Sequence, residues 1–161
     1  PELQLETSFG AGFAPVNAVE LLSEWQVVEA IPRMLDILKV DDWESTLHDR
    51  TIMALQSMGT ETIEPLKAFA VEHPKLEVTA ASILGKVGKE DAQVFEWLTH
   101  VFKKQKEELD VTYLAEILLS NNTPHAIEFL EDQLKRNKYS KGAFHQIQGY
   151  LKDAREGKWT Y

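Results

Sequence analysis

Five histidines, His48, His73, His100, His125 and His145, are the first residues to weigh for metal binding or proton transfer. None of them forms an H-x-x-x-H or H-E-x-x-H pair, the spacing that turns two imidazoles onto one ion. Glu96 and His100 stand four apart on one helical face, as do His125 and Phe129. Such a pair makes a surface contact rather than a coordination sphere. Carboxylates cluster at Asp41-Asp42, at Glu107-Glu108-x-Asp110 and at Glu131-Asp132. Acid–base chemistry would need one of a pair lifted in pKa by an apolar surround. No such surround is evident, so these read as solvated helix ends and loops.

Phosphate and nucleophile chemistry fares no better. "GKVGKED" (Gly85 to Asp91) lacks the G-x-x-x-x-G-K-[ST] spacing and follows a helical stretch rather than a strand. It reads as one helix ending and another beginning. "GAG" (Gly10 to Gly12) is no dinucleotide fingerprint, and no G-x-S-x-G elbow is present. "NNT" (Asn121 to Thr123) matches a glycosylation sequon, but Pro124 follows it and a turn explains it. There are no cysteines, which removes disulfides, thiolate ligands and cysteine nucleophiles together. We therefore expect no catalytic, cofactor or metal site and no bound cofactor.

The elements that would position a site are helical. The chain has 161 residues, enough for one domain with a sizeable core. Hydrophobic residues make up 43% and charged residues 27%, the balance of a globular protein. With 26 acidic against 17 basic residues the net charge is -9, which repels phosphate backbones and argues against nucleic acid. The dense basic runs, "KKQK" (Lys103 to Lys106) and "LKRNK" (Leu134 to Lys138), read as last turns of helices, where cations complement the dipole. No apolar run approaches the roughly 18 residues that span a bilayer, and no signal peptide is visible. The absence of cysteine fits a reducing, cytoplasmic location. The start at Pro1 fits either a removed initiator Met or a piece of a longer chain.

Two kinds of helix alternate along the chain. "LHDRTIMALQSMG" (Leu47 to Gly59) aligns with "LEVTAASILGKVG" (Leu76 to Gly88) at a shift of 29 residues. Leu47, Thr51, Ile52, Ala54, Leu55, Met58 and Gly59 fall on Leu76, Ala80, Ala81, Ile83, Leu84, Val87 and Gly88. "DVTYLAEILLSNN" (Asp110 to Asn122) repeats Leu114, Ala115, Ile117, Leu118 and Asn122 at a further shift of 34. The terminal column, Gly59, Gly88 and Asn122, holds residues that tolerate a left-handed helix end. Between these lie "EAIPRMLDIL", "ETIEPLKAFA", "DAQVFEWLTHVF" and "HAIEFLEDQL", with Ile31, Ile63, Val94 and Ile127 recurring at 32, 31 and 33 residues. We expect this first helix (A) to be long and amphipathic, introduced by Thr60, by Lys89-Glu90-Asp91 and by Thr123-Pro124 in three units. The second (B) should be shorter, with Ala80, Ala81 and Gly85 allowing close backbone approach. The repeats run about 28–59, 60–88, 89–122 and 123–154, after an N-terminal capping helix "APVNAVELLSEW" (Ala14 to Trp25). A tail of residues 1–13 precedes this 14–154 domain, and a tail of 155–161 follows it. A hairpin of two helices cannot cover its own apolar face, and stacking does so.

These residues resemble HEAT repeats, including the HEAT-like repeats of the bilin-lyase type. Leu76, Ala80, Ala81, Leu84, Gly85, Val87 and Gly88 match the second helix of that pattern. Leu47, Ala54, Leu55, Met58 and Gly59 match it in the first copy, and Pro32 and Pro65 are similar to the proline that bends the first helix. The arginine that such families place early in the second helix is replaced by His48 and Glu77, so a charge ladder along the stack is missing or rebuilt. The resemblance implies an all-α fold, an α-solenoid of about four HEAT-like hairpins plus a capping helix, with B helices lining a concave face. It implies no particular reaction.

On that face the B-helix columns not used for packing carry Asp49, Arg50, Met53 and Gln56 in the first copy. The second has Glu77, Val78 and Ser82, the third Thr112, Tyr113 and Glu116, and the fourth Phe144, His145 and Gln148. The strip should be mostly acidic, with Met and aromatic anchors suited to protein binding. Of the tryptophans, Trp25 and Trp97 are expected to pack, and Trp43 and Trp159 to be the more exposed. The function these features favour is non-enzymatic: a scaffold or regulatory module binding a protein or peptide, with a basic segment attracted by the charge. A bilin-lyase-like cofactor chaperone or enzyme is the alternative that the resemblance implies. A glycosylase of the HEAT-like type would need a basic concave face.

Overall fold

The helices form where the apolar period and the caps agree. A computed structural model describes residues 13–40 and 45–159. Among these the protein is all-α, with nine α-helices and no strand. Residues 1–12 and 41–44 lie outside the description, and with them the N-terminal tail and Trp43. The chain falls into two compact units, Pro1–Phe69 and Ala70–Tyr161.

In the first unit, α1 (Ala14–Glu24) and α2 (Ile31–Val40) both pack against α3 (Thr46–Ser57). α1 buries Val16, Val19 and Ser23, one helical face, and α2 buries Ile31, Met34, Leu35 and Leu38. α3 buries His48, Thr51, Ala54 and Leu55 and is started by Ser45, whose hydroxyl accepts from the His48 amide at 3.0 Å. Arg50 on α3 pairs with Glu20 on α1 at 3.3 Å, and the Gln26 side chain donates to the Ser57 carbonyl at 3.2 Å. The helix α4 (Ile63–Glu72) runs across the division between the units and buries Leu66, Phe69 and Ala70.

In the second unit, α5 (Glu77–Val87), α7 (Glu108–Asn121) and α9 (Lys141–Arg155) pack in succession, α5 on α7 and α7 on α9. α6 (Ala92–Lys104) packs against α5 and α7, and α8 (Thr123–Arg136) against α7 and α9. α6 and α8 meet through aromatic edges, Phe102 on Phe129 at 5.5 Å between ring centroids and Phe95 on His125 at 6.0 Å. Of the columns aligned in the sequence, that of Leu55, Leu84 and Leu118 is fully enclosed, all three 0% exposed, whereas Leu47 and Leu76 at the start of the copies are half-buried.

Several details depart from the sequence reading. The B helices are not the shorter partners: α3, α5, α7 and α9 have 12, 11, 14 and 15 residues against 10, 10, 13 and 14 for α2, α4, α6 and α8. The physical reason is that α2 and α4 open through 3-10 turns, Val28–Ala30 and Gly59–Thr62, with Pro32 and Pro65 in their first helical turns. Proline lacks the amide a helix interior needs and fits only near a start. Of the three expected A-helix starts, only Asp91 caps through its side chain, accepting from the Gln93 amide at 2.8 Å and the Val94 amide at 3.1 Å. Thr123 instead donates back to the Leu119 carbonyl. Asp91→Ala is therefore expected to destabilise the protein by about 1 kcal/mol, and Thr60→Ala by much less. Paired urea titrations check this.

Nor does the terminal column share one conformation. Gly59 is left-handed, at φ 68°, but Gly88 stands at −96° and Asn122 at −150°. Gly88 is small for a different reason: a Cβ there would lie 2.5 Å from Val94 Cγ2. At Gly85 it would lie 2.3 Å from Ile117 Cγ2, so α5 and α7 touch almost backbone to side chain. The turn that follows α5 is held by Asn121, which is 0% exposed. Its Nδ2 donates to the Gly85 carbonyl at 3.0 Å and the Gly88 carbonyl at 2.7 Å, while its own carbonyl accepts from the Glu90 amide at 3.1 Å. Three bonds from one residue thus fix residues 85–90 against the end of α7, and Glu90 is held in the left-handed region at φ 64°.

Candidate functional site

A helix with neighbours on several sides keeps little surface for anything else. α7 packs on α5, α6, α8 and α9. Val111, Thr112, Leu114, Ala115, Ile117, Leu118, Leu119 and Asn121 are buried. Apart from Glu108 and Asp110 in its first turn, what remains open is a line at helical spacing, Leu109, Tyr113, Glu116 and Ser120. Leu109 is 81% exposed and Tyr113 39%, while Glu116 and Ser120 are half-buried. Two large apolar side chains facing outward from the most enclosed helix of the unit are unusual, because burial is where such surface gains most.

The expected strip residues fall mainly on open faces. On α3, Asp49, Arg50 and Met53 are exposed, Met53 by 56%, and Gln56 is half-buried. On α5, Val78 and Ser82 are half-buried, and the Ser82 hydroxyl is occupied with the Thr79 carbonyl at 2.8 Å. On α9, His145 and Gln148 are exposed and Phe144 is half-buried. Thr112 does not belong to the strip: it is 4% exposed and bonds back to the Glu108 and Leu109 carbonyls. Glu77 is engaged elsewhere, since its carboxylate takes the Lys104 ammonium of α6 at 2.6 Å. That pair stands in the column where an arginine would start a ladder. The other residue of that column, His48, is buried with its Nδ1 unpartnered.

The charge is unevenly divided along the chain. Residues 1–69 hold twelve acidic and four basic side chains, whereas residues 70–161 hold fourteen and thirteen. The excess negative charge therefore belongs almost wholly to the first part of the chain. On the strip itself Arg50 is paired with Glu20 and Glu77 with Lys104, and Glu116 stands as the one charge in the α7 line. The surface on offer is apolar with polar edges.

The tryptophans are arranged otherwise than the sequence reading has them. Trp25, expected to pack, is 70% exposed. Trp159, expected to be exposed, is half-buried against Tyr150, with ring centroids 5.1 Å apart. The chain turns back there through Gly157 at φ 68°, and the Lys158 amide donates to the Asp153 carbonyl at 2.8 Å. Leu109 was missed as a strip residue because it stands in an acidic run, Glu107 to Asp110, that reads as a loop.

Among the described residues no three His, Asp or Glu side chains converge as a metal site would require. No helix among them is long and apolar enough to cross a membrane. A groove of about 400 Å³ lies between α8 and α9 and is lined by Leu134, Phe144 and Leu151 together with Glu131, Lys135, Gln148 and Arg155. Comparison with protein-family models, with curated proteins and with solved structures found no match.

Proposed function

We propose that this chain is a HEAT-like α-solenoid that acts without catalysis in the cytoplasm, holding a protein or peptide on the open strips of its B helices. The observation that carries the reading is the α7 line, where Leu109 and Tyr113 remain outside although four other helices pack on α7. Met53 on α3 is the equivalent anchor in the first unit. Exposed methionine and aromatic side chains supply contact area at low ordering cost, which suits a partner surface better than a reaction centre. Repeats of two helices stacked in register are the natural scaffold for such a wall. The negative charge of residues 1–69 would draw a partner with a basic segment toward the first unit and speed encounter.

The experiment is capture from a native lysate with wild type and with Met53, Tyr113 and Glu116 changed together to alanine. All three are exposed or half-buried, so the variant should melt like wild type. We expect proteins held by wild type to be lost from the variant by about tenfold or more, as hot-spot truncation predicts. An unchanged set of captured proteins would remove the proposal.

A further inference from the structure

The outer face of α1 is a second uncovered apolar surface. α1 turns Val16, Val19 and Ser23 inward, and this leaves Ala14, Ala18, Leu21 and Trp25 in line on the opposite side. Leu21 is 44% and Trp25 70% exposed, and Val28 just beyond is 41% exposed. The end of a helical stack is ordinarily polar on its outer side, because nothing else covers it. An exposed tryptophan at the end of such a line is a strong interface anchor. Elsewhere on the same chain lies the partly apolar groove between α8 and α9. Its floor is Leu134, Phe144 and Leu151, and it has room for an indole ring within about 400 Å³. The Glu131–Arg155 ion pair ties α8 to α9 along it.

Charge decides what fits. Residues 13–31 contain Glu20, Glu24 and Glu29 and no lysine or arginine, and with Glu20 paired to Arg50 they keep two negative charges, Glu24 and Glu29. The charged residues lining the groove are Lys135, Arg155 and Glu131, the last two paired with each other, so Lys135 leaves it one positive charge in excess. The α1 face would therefore repel another α1 face and attract the α8–α9 groove. We propose that this protein associates with a second copy of itself head to tail, the Trp25 line of one copy seated in the α8–α9 groove of the next. Such a contact is heterologous: each copy uses one surface and leaves the other free. This rests on surfaces other than the α3 and α7 strips and does not depend on the partner they hold.

Two variants and their mixture test it by sedimentation, over a series spanning micromolar to millimolar dissociation constants. Trp25→Glu disables the α1 face, and Lys135→Glu with Gln148→Glu disables the groove. All three positions are exposed, and circular dichroism should show each variant folded. Wild type should rise with concentration above the 18.3 kDa of one chain. Each variant alone should stay at the single-chain mass, and an equal mixture should reach twice that mass and no more, since it retains one working α1 face and one working groove. A wild type that stays at the single-chain mass throughout overturns the proposal. Self-association of the groove variant alone would place the contact between two α1 faces and overturn it as well, and so would a Trp25→Glu protein that assembles like wild type.

Discussion

Changing Asn121 to alanine is expected to lower stability by about 2 kcal/mol, since the buried Gly85 carbonyl loses its side-chain donor at a cost of about 1–3 kcal/mol, while the Gly88 carbonyl keeps the Asp91 amide at 3.1 Å. Gly85 and Gly88 are both buried, so water cannot readily replace the amide. Against net stabilities of about 5–15 kcal/mol this is a large fraction. Asn121→Asp makes a sharper test. A carboxylate there would face two carbonyl oxygens with no proton to give, so its folded-state pKa must rise above the unfolded one. A raised carboxylate pKa means that the folded state keeps its proton longer. Relative stability is then best below the ordinary carboxylate range and falls as pH rises toward neutrality. Urea midpoints measured at acid and neutral pH should therefore converge on wild type in acid for Asn121→Asp and not for Asn121→Ala.

The second large effect is at Gly85. Replacement by valine should cost about 3 kcal/mol, the upper range for overpacking a filled core. Alanine alone would gain roughly 1 kcal/mol of helix propensity, but its Cβ already overlaps Ile117 Cγ2. That methyl cannot swing away, because a β-branched side chain in a helix has essentially one rotamer. Removing it is the check. Ile117→Ala alone should cost about 2–5 kcal/mol for the cavity it leaves. The double variant, Gly85→Val with Ile117→Ala, should cost clearly less than the two changes summed, with a coupling of about 1 kcal/mol or more. Strict additivity would mean that α5 and α7 do not meet where this packing puts them.

The period of the apolar residues was enough to locate α1 to α8 to within a few residues, because helical spacing is a local property of the chain, whereas α9 was reached only as the remainder of the last repeat, 123–154. It also placed Met53 and Tyr113 on open faces, since a column left out of the apolar repeat has nothing to bury it. What the pattern could not carry was anything decided between distant residues. Asn121 looks like one more helix-ending residue, and its bonds to Gly85 and Gly88 are made across 36 and 33 residues. Glu77 looks like a free carboxylate until Lys104 arrives from 27 residues away. Gly88 invites a conformational explanation, when the reason for its size is the Val94 side chain. Trp25 follows a well-patterned helix, and only the packing of α1 on α3 reveals that its side is the uncovered one.

A cysteine scan along α7 tests the central claim most directly, because the natural chain has no cysteine to interfere. Single cysteines at Leu109 and Tyr113 should react readily with a thiol reagent, and those at the half-buried Glu116 and Ser120 more slowly but without unfolding. Cysteines at Val111, Ala115 and Leu118 should be protected until the protein unfolds. A different phase of reactive positions, or equal labelling at all of them, would contradict the existence of a single open line on that helix.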